Sequence, residues 1–375
     1  MNAPPQFDAY PTASAPAYGR WLAAGTTLLA LLGAAGVLLR PFIEPRVAAL
    51  LAAAVLLVWL LALSLRTLHY RLNRHNAYLY DQEVARVERV WWVRHRQRVS
   101  LCDSLLLGPA GSTAEHWQQL LAGQLRPPEP VPEGEASALR LLSVFANDRA
   151  EREVQLAQLL AQQWREQLPA TLANAPLACY WQGSEAAWQA LLADMAPHCP
   201  DLPLPALPEP WQGQKTLETI IERLQRAPQD ARILCAGVRS LPADKQQASP
   251  AGEAALLWLL GRPGQGAQLS RGEWYAVGGD KLHAVAEQAC RQSRVEEAPD
   301  ACVAFAHAEV TELDWRLAGV TQDAHWGRLD DLEAMVVQSL AALYAQQQGK
   351  PCGWLAKDSE HPLILGIASP ANEHA

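Results

Sequence analysis

The sequence predicts a membrane-anchored α/β protein, in which an N-terminal transmembrane helical hairpin precedes a layered α/β domain. Two uncharged runs of 19 residues, 21–39 and 47–65, are each long enough to cross the roughly 30 Å hydrocarbon core of a bilayer as a helix. The connection 40–46 carries two arginines and two prolines, so a helix cannot continue through lipid there. After residue 100, short apolar runs alternate with longer helical ones, which is typical of a layered α/β domain.

We divide the chain into four parts. They are a disordered tail (1–19), the hairpin (20–66), a basic juxtamembrane segment (67–99) and the α/β domain (100–375). A cleaved signal peptide is the competing interpretation of the first apolar run. The hairpin is favoured because no Lys or Arg precedes Arg20 and a second full-length run follows at once.

The arginines near the ends of the two runs predict the orientation. The connection carries Arg40 and Arg46, whereas the opposite side carries a larger set: Arg20, Arg66, Arg71, Arg74 and Arg86. Basic residues resist translocation, so both termini and the α/β domain are expected in the cytoplasm. The strong preference for arginine over lysine is typical of a bacterial coding bias, which indicates a bacterial inner membrane. The alternative places the domain in the periplasm.

The juxtamembrane segment is basic although the chain as a whole has a formal charge of -8. Eight arginines between residues 66 and 98 face three acidic residues, which favours an anionic membrane surface. The residues expected at this surface are Arg66, Arg71, Arg74, Trp91 and Trp92, the tryptophans lying at headgroup level. The alternative is a solvated linker helix followed by a first strand.

Within the α/β domain, apolar runs and their flanking residues predict the elements in order. The candidate strands are 100–107, 139–145, 177–181, 232–238, 254–260 and 302–307. The candidate helices are 113–122, 149–166, 184–195, 215–226, 281–292 and 329–347. Ser112 or Thr113 is expected to cap the first of these helices and Asp148 the second. Proline-rich breaks at 126–132 and 197–210 predict loops.

Composition and motifs exclude several classes of function. The negative charge disfavours a dedicated nucleic-acid binder. The seven cysteines form no CxxC pair, which resembles neither a disulfide framework nor a zinc site, so no metal and no cofactor is expected. No P-loop, GxSxG or HExxH motif occurs. The acidic residues Asp330, Asp331 and Glu333 are explained by the dipole of the helix that they open.

Two stretches resemble the β-ketoacyl synthases. Residues 106–123, LLGPAGSTAEHWQQLLAG, are similar to the first strand, glycine turn and helix with which those enzymes open. Residues 231–240 and 249–260, with the helix before them, are similar to a later segment that ends in a Gly-Glu pair and an apolar strand. The resemblance implies a thiolase-like fold built from two βαβ-rich halves. It also implies a homodimer, because such domains commonly pair through their sheet edges.

Glu253 lies between Gly252 and the apolar run 254–260 and has two interpretations. It is either a buried acid that caps neighbouring amides or the last exposed residue before a strand.

An active synthase of this kind would need a nucleophilic cysteine at a helix N-terminus and two histidines. The candidate cysteine is Cys179, with His283, His307 or His325 as partners. Cys179 is followed by Tyr180 and Trp181 rather than by small residues, which departs from the family pattern. We therefore assign no catalytic residue and keep Cys179, His283 and His307 as the alternative.

The tryptophans give the last sequence argument. Five of the fourteen fall in turn-rich segments, where aromatic residues often anchor protein interfaces: Trp211, Trp274, Trp315, Trp326 and Trp354. Trp315 and Trp326 are the predicted partner-binding residues.

The function expected is a non-enzymatic adaptor that holds a partner protein at the inner membrane, such as an accessory protein of a type VI secretion system. The alternative is a membrane-associated acyl-transfer enzyme that uses Cys179 and an acyl carrier protein or coenzyme A thioester.

Overall fold

The computed structural model describes most of the chain. The described residues are 5–42, 44–167, 175–197, 203–247, 249–264, 266–276, 281–306, 313, 315–319, 321–357 and 362–371. The chain divides into two compact units, one ending at Trp92 and one running from Val93 to Ala375.

The first unit is built on two long helices, α1 (Tyr18–Leu38) and α2 (Pro45–His95). Both are long and apolar enough to cross a membrane, and their most apolar stretches are only 6% and 0% buried. Pro45 suits the first turn of α2 because an amide there has no partner within the helix. The helix does not end at residue 65 but continues for a further 30 residues, so the basic segment is helical as far as His95.

The tail before α1 has no regular secondary structure but does make contacts with α2. The backbone amide of Ala13 donates to Asn73 Oδ1 over 2.6 Å, and Asn73 Nδ2 donates to the carbonyl oxygen of Pro11 over 3.1 Å. These contacts give the tail, which the sequence predicts to be disordered, a defined path along α2.

The second unit is the α/β domain. Its strands are β1 (Val99–Leu107), β2 (Val131–Glu133), β3 (Ala136–Ala138), β4 (Cys179–Gln182), β5 (Glu209–Pro210), β6 (Arg232–Ser240), β7 (Glu253–Gly261), β8 (Ala267–Leu269), β9 (Glu273–Tyr275), β10 (Cys302–Ala304), β11 (Cys352–Ala356) and β12 (Leu363–Ser369). Its helices are α3 (Ala114–Leu121), α4 (Arg149–Gln167), α5 (Glu185–Met195), α6 (Gln214–Arg226), α7 (Leu282–Gln292), α8 (Asp323–Trp326) and α9 (Glu333–Gln348). Apart from the β2–β3 hairpin, the strands form one mixed sheet in the order β10-β11-β12-β8-β1-β7-β6-β4-β5, and β9 also pairs with β12.

The domain contains one arrangement of strands twice. In the first half, β5, β4, β6, β7 and β1 are neighbours in that order, and only β7 runs antiparallel to the others. In the second half, β10 and β11 are parallel, and β12 is antiparallel to β11, β8 and β9. No equivalent of β5 occurs among the described residues of the second half. The halves join where β1 pairs with β8.

The centre of the sheet is covered on both faces. Every residue of β7 is buried, as expected for a continuous apolar run between two helical layers. Leu256 and Trp258 face the cluster that contains α6 and α9, whereas Ala255 and Leu257 face the cluster that contains α4 and α5. Trp258 Nε1 donates to Ser339 Oγ on α9 over 2.7 Å, which satisfies its polar atom inside the core.

The predicted helices are largely correct. Thr113 is the N-cap of α3, where its side chain accepts from the amide of His116, and Asp148 Oδ2 accepts from the amide of Ala150 at the start of α4. The last helix begins at Glu333 rather than at Leu329, because a 3₁₀ turn precedes it.

Candidate functional site

The carboxylate of Glu253 is the centre of a buried polar cluster at the start of β7. The residue is 0% exposed, and Arg152 of α4 donates to both of its oxygens over 2.8 Å. The amide of Leu141 also donates to it, and Ser240 Oγ lies 3.1 Å from Glu253 Oε2. Glu253 is therefore the buried acid that caps a neighbouring amide, and the interpretation of an exposed residue before a strand is wrong.

A second arginine extends this cluster to the surface. Arg140 donates to both carboxylate oxygens of Glu133 over 2.7 and 2.8 Å, and to Ser240 Oγ over 3.1 Å. It also donates to the carbonyl oxygen of Leu241 over 2.8 Å. The β2–β3 hairpin, the following segment and the end of β6 are thus joined by charge-assisted hydrogen bonds.

The segment 139–148 is held by this cluster and exposes two large apolar side chains. Leu142 is 90% exposed and Phe145 is 82% exposed, whereas Leu141 and Val144 are buried beneath them. The amide of Phe145 donates to Gln155 Oε1 over 2.9 Å. The amides of Leu141 and Phe145 thus donate to side chains, whereas that of Leu139 donates to the carbonyl oxygen of Ala251. Residues 139–145 form no strand, so the predicted strand is wrong and the segment is a loop.

Cys179, the alternative nucleophile, lies in β4 and is 2% exposed. Its side chain belongs to the apolar cluster between the sheet and helices α4 and α5. Burial raises the pKa of this thiol to about 12, and the charge of Glu209 acts in the same direction. A thiol in this setting is protonated at neutral pH, whereas a nucleophile must be a thiolate.

The histidines proposed as its partners lie elsewhere. His283 is on the exposed side of α7 in the second half of the domain, where its Nε2 is 3.3 Å from Glu287 Oε1. His325 is buried in α8, and its Nε2 lies 3.1 Å from the carbonyl oxygen of Leu125. His307 lies outside the described residues. Neither described histidine has a recorded hydrogen bond with Cys179.

Comparison with known proteins concerns the fold. No protein-family model and no curated protein sequence matches this chain. Among solved structures, the ketosynthase from module 1 of the bacillaene synthase of Bacillus amyloliquefaciens FZB42 matches with a TM-score of 0.51 at 9% identity, over 74% of this chain and 76% of that chain. The α/β domain has a thiolase-like fold. The ishigamide ketosynthase/chain length factor is also similar, with a TM-score of 0.48 at 13% identity, over 73% of this chain and 99% of that chain.

In this thiolase-like domain, no described helix begins at a cysteine. Five described cysteines are in strands: Cys102, Cys179, Cys235, Cys302 and Cys352. Cys290 lies near the end of α7. The residue before α6 is Gly213, with φ 61°, and the residue before α5 is Ser184. The described part of the thiolase-like domain therefore lacks the thiol at a helix N-terminus that acyl transfer by a synthase requires.

The predicted partner-binding tryptophans are buried in the thiolase-like domain. Trp326 is 0% exposed and stacks on Trp117, with ring centroids 5.0 Å apart. Trp315 is 7% exposed and packs against Gly353. Both rings are core side chains in this structure, so their burial gives no support to the partner-binding role of Trp315 and Trp326, which stays a prediction.

The predicted membrane-surface residues all lie on α2. Arg66, Arg71 and Arg74 follow the apolar stretch within ten residues. Trp91 and Trp92 lie 26 residues or more beyond Leu65, which is roughly 40 Å along a helix that rises about 1.5 Å per residue. The headgroup position predicted for these tryptophans therefore requires the part of α2 beyond Leu65 to lie along the membrane surface.

No local pattern in the sequence indicates the loop that exposes Leu142 and Phe145. Arg152 and Glu253 are 101 positions apart, so their pairing has no counterpart in short-range patterns. The apolar run around Leu142 is typical of a strand, but in the structure the amides of Leu141 and Phe145 donate to side chains.

Proposed function

We propose that this protein is a membrane-tethered binding protein, whose thiolase-like domain docks a partner protein through Leu142 and Phe145 and performs no acyl transfer. The observation that carries the proposal is the exposure of these two side chains on a loop that the Glu253 cluster holds in place. We refer to Leu142, Phe145 and the segment 139–148 as the docking loop.

The docking loop combines large apolar contacts with a fixed backbone. Leu142 and Phe145 have the highest exposed fractions among the large apolar side chains of the domain. Aromatic and aliphatic anchors of this kind supply most of the binding energy of protein interfaces when they enter a pocket. Since Arg152 and Gln155 already order the backbone, little conformational entropy is lost on binding. The partner that fits is a protein with an apolar groove.

The lack of catalysis is supported by the setting of Cys179. Its thiol is buried in an apolar cluster and has a raised pKa, and no described helix of the domain begins at a cysteine. The alternative, an acyl-transfer enzyme that uses Cys179, is favoured by the thiolase-like fold alone.

The apolar helices α1 and α2 support the tether. The excess of arginines flanking the two apolar runs supports the cytoplasmic face of a bacterial inner membrane, and the periplasm is the alternative.

The short β5 at one end of the sheet leaves a strand edge that supports the proposed homodimer. A role as a type VI secretion accessory is a narrower form of the proposal, supported by the layout of a membrane hairpin before a binding domain.

A photo-crosslinking amino acid at position 145, in the full-length protein in its native membrane, tests the proposal. We expect one partner protein to form an adduct. The double variant Leu142→Ser, Phe145→Ser should recover at least about tenfold less of that partner after extraction in mild detergent. Leu207→Ser is the matched control, since Leu207 is 74% exposed and lies outside the docking loop.

Two outcomes would overturn this function. One is equal recovery of the partner by the double variant and by Leu207→Ser. The other is an acyl adduct on Cys179, found by mass spectrometry and absent from Cys179→Ala, which would make the acyl-transfer alternative the leading one.

A further inference from the structure

A cavity of about 350 Å³ lies between α7 and the segment that follows it, in the second half of the domain. This volume is at the lower end of the range for small-molecule sites, roughly 300–1,000 Å³. One stripe of α7 forms a wall, since positions 283, 286, 287 and 290 share a helix face. The apolar part of the lining consists of Ala286, Cys290, Val295, Leu313 and Trp315. These side chains pack together with the apolar cluster of this half, so one side of the cavity is apolar.

The shape of the cavity is fixed by the chain on both sides of it. After α7, Arg294 adopts the left-handed conformation, with φ 52°, and the chain turns back. The amide of Val295 then donates to the carbonyl oxygen of Cys290 over 2.9 Å. On the other side, a Cβ added at Gly353 would lie 2.6 Å from the ring of Trp315, so this ring has no space to move toward β11. The site is therefore formed before a ligand arrives, which lowers the entropic cost of binding.

Carboxylates are in excess around this cavity. Glu287 already has partners, since its carboxylate oxygens lie 3.3 Å from His283 Nε2 and 3.9 Å from Arg291 Nη2. Glu296 and Glu297 also line the cavity, and within the described residues no salt bridge joins either of them to a cation. Two adjacent carboxylates without a counter-charge favour the approach of a positive group.

The thiol of Cys290 is in the same electrostatic environment. Burial raises its pKa to about 11, and the charge of Glu287 acts in the same direction. The thiol is therefore neutral at pH 7 and serves as an apolar part of the wall. Because these surroundings disfavour a further negative charge, an anion is an unsuitable ligand for the cavity.

We propose that this cavity binds an organic ammonium compound, with its apolar body against Trp315 and Leu313 and its positive group beside Glu296 and Glu297. An ammonium group carries N–H donors, and charge-assisted hydrogen bonds to carboxylates are roughly twice as strong as neutral ones. An indole ring also attracts a cation that lies within about 6 Å of its face. The docking loop precedes α4 in the first half of the domain, so this inference does not depend on the proposed partner.

Calorimetric titration of the full-length protein in nonionic detergent tests the inference, after subtraction of titrations into detergent alone. Two amines are each compared with the alcohol of the same shape: phenethylamine with 2-phenylethanol, and hexylamine with 1-hexanol. We expect both amines to bind saturably and at least about tenfold more tightly than their alcohols, because only the amines form charge-assisted hydrogen bonds. The inference is overturned if neither amine binds saturably, or if each binds no more tightly than its alcohol.

The double variant Glu296→Gln, Glu297→Gln tests the charged side of the cavity. It should weaken the binding of phenethylamine at least about tenfold and leave that of 2-phenylethanol unchanged. The double variant Glu129→Gln, Glu135→Gln is the matched control, since it changes the net charge equally at two exposed residues that do not line the cavity. Equal affinity for phenethylamine in the two double variants would contradict the proposed site.

Two further variants distinguish this cavity from a general attraction of amines to an acidic protein. Cys290→Met fills part of the cavity and should weaken the binding of phenethylamine and of 2-phenylethanol alike. Arg291→Gln removes a positive charge from the lining and should strengthen the binding of phenethylamine by up to about fivefold. Unchanged affinity in Cys290→Met would place the amine elsewhere and overturn the inference.

Thermal unfolding of each variant shows that a loss of binding is not a loss of fold. The double variant of Leu142 and Phe145 should bind phenethylamine normally, which keeps this test separate from that of the docking loop.

Discussion

A carboxylate that is shielded from water depends on the protein for every hydrogen bond, and Glu253 is such a group. Arg152 forms a bidentate pair with it, and the amide of Leu141 and the hydroxyl of Ser240 occupy further positions around it. The charge of the pair is satisfied only while both partners remain, since removing one leaves the other buried and unpaired. The position of the docking loop therefore depends on Glu253 of β7 together with Gln155 of α4.

Glu253→Gln should destabilise the domain by about 3–5 kcal/mol, because the charge of Arg152 is left buried without a counter-charge. Urea unfolding followed by tryptophan fluorescence measures the change. Glu133→Gln is the control: Glu133 also pairs with an arginine, but it is 36% exposed in its side chain, and we expect a loss of about 1 kcal/mol or less. Similar losses in the two variants would contradict the central role assigned to Glu253.

Glu333, at the start of α9, predicts a pH dependence of stability. Its pKa is raised from 4.5 to about 7, chiefly by burial; Lys357 and a backbone hydrogen bond at Leu329 lower it, and the charges of Asp323 and Asp330 raise it. Because the folded pKa is above the unfolded one, the folded state binds the proton more tightly. The contribution of this group is fully present below about pH 4.5 and is lost as the pH rises through about 7.

Glu333→Gln should remove that dependence. We expect the free energy of unfolding of the unaltered protein to fall between pH 5 and pH 7 by up to about 1.4 kcal/mol per pH unit relative to the variant. Denaturant unfolding at a series of pH values measures this difference. Parallel pH profiles for the two proteins would show that Glu333 titrates normally.

The close packing of β1 against α3 and α8 depends on Gly108, which directly follows β1. A side chain at Gly108 would place its Cβ 2.1 Å from the ring of Trp326, which is itself stacked on Trp117 of α3. The strand, α3 and α8 are therefore packed so closely that no side chain fits between them. The glycine turn after the first strand, on which the resemblance to ketosynthases partly rests, has this packing role here.

Gly108→Ala should destabilise the domain by about 1–3 kcal/mol, since the ring of Trp326 must shift within a closely packed core. The melting temperature, measured by near-UV circular dichroism, should fall accordingly. Gly264→Ala is the control, because the nearest atoms to its added Cβ are 3.9 Å away. An unchanged melting temperature in Gly108→Ala would show that α8 can move away from β1 at little cost.

Local patterns predicted the long elements well and the short ones poorly. Helices α4 to α7 carry apolar faces long enough to show their period, and β6 and β7 are continuous apolar runs. In contrast, β8 and β9 have three residues each and are strands only because β1 and β12 offer them partners. The strand prediction for 139–145 failed because the amides of Leu141 and Phe145 donate to side chains, those of Glu253 and Gln155.

Prediction of the candidate site was weaker than prediction of the fold. Cys179 lies in a strand, as expected because the bulky residues after it depart from the small residues of the family pattern. The expected exposure of Trp315 and Trp326 was not predictable, since a turn-rich sequence around a tryptophan does not reveal whether its ring points into the core.

At the scale of the whole molecule, the orientation in the membrane is the main consequence of the charge distribution. A green fluorescent protein fused after Ala375 should fluoresce, and alkaline phosphatase fused at the same place should be inactive, because the positive-inside rule predicts a cytoplasmic domain. The reverse pattern would place it in the periplasm. Fusion within residues 40–46 is the internal control and should give the opposite result to the C-terminal fusion.

The position of β1 in the sheet has a consequence for biosynthesis. This strand is made early but lies between β7 and β8, so it cannot complete its pairing until Leu269 has left the ribosome. At a synthesis rate of about 5–20 residues per second, the delay is roughly 8–30 s. During this time an unpaired apolar strand follows two helices that are apolar enough to cross a membrane. Ribosome-associated chaperones are the factors that would protect such a strand from aggregation while translation continues.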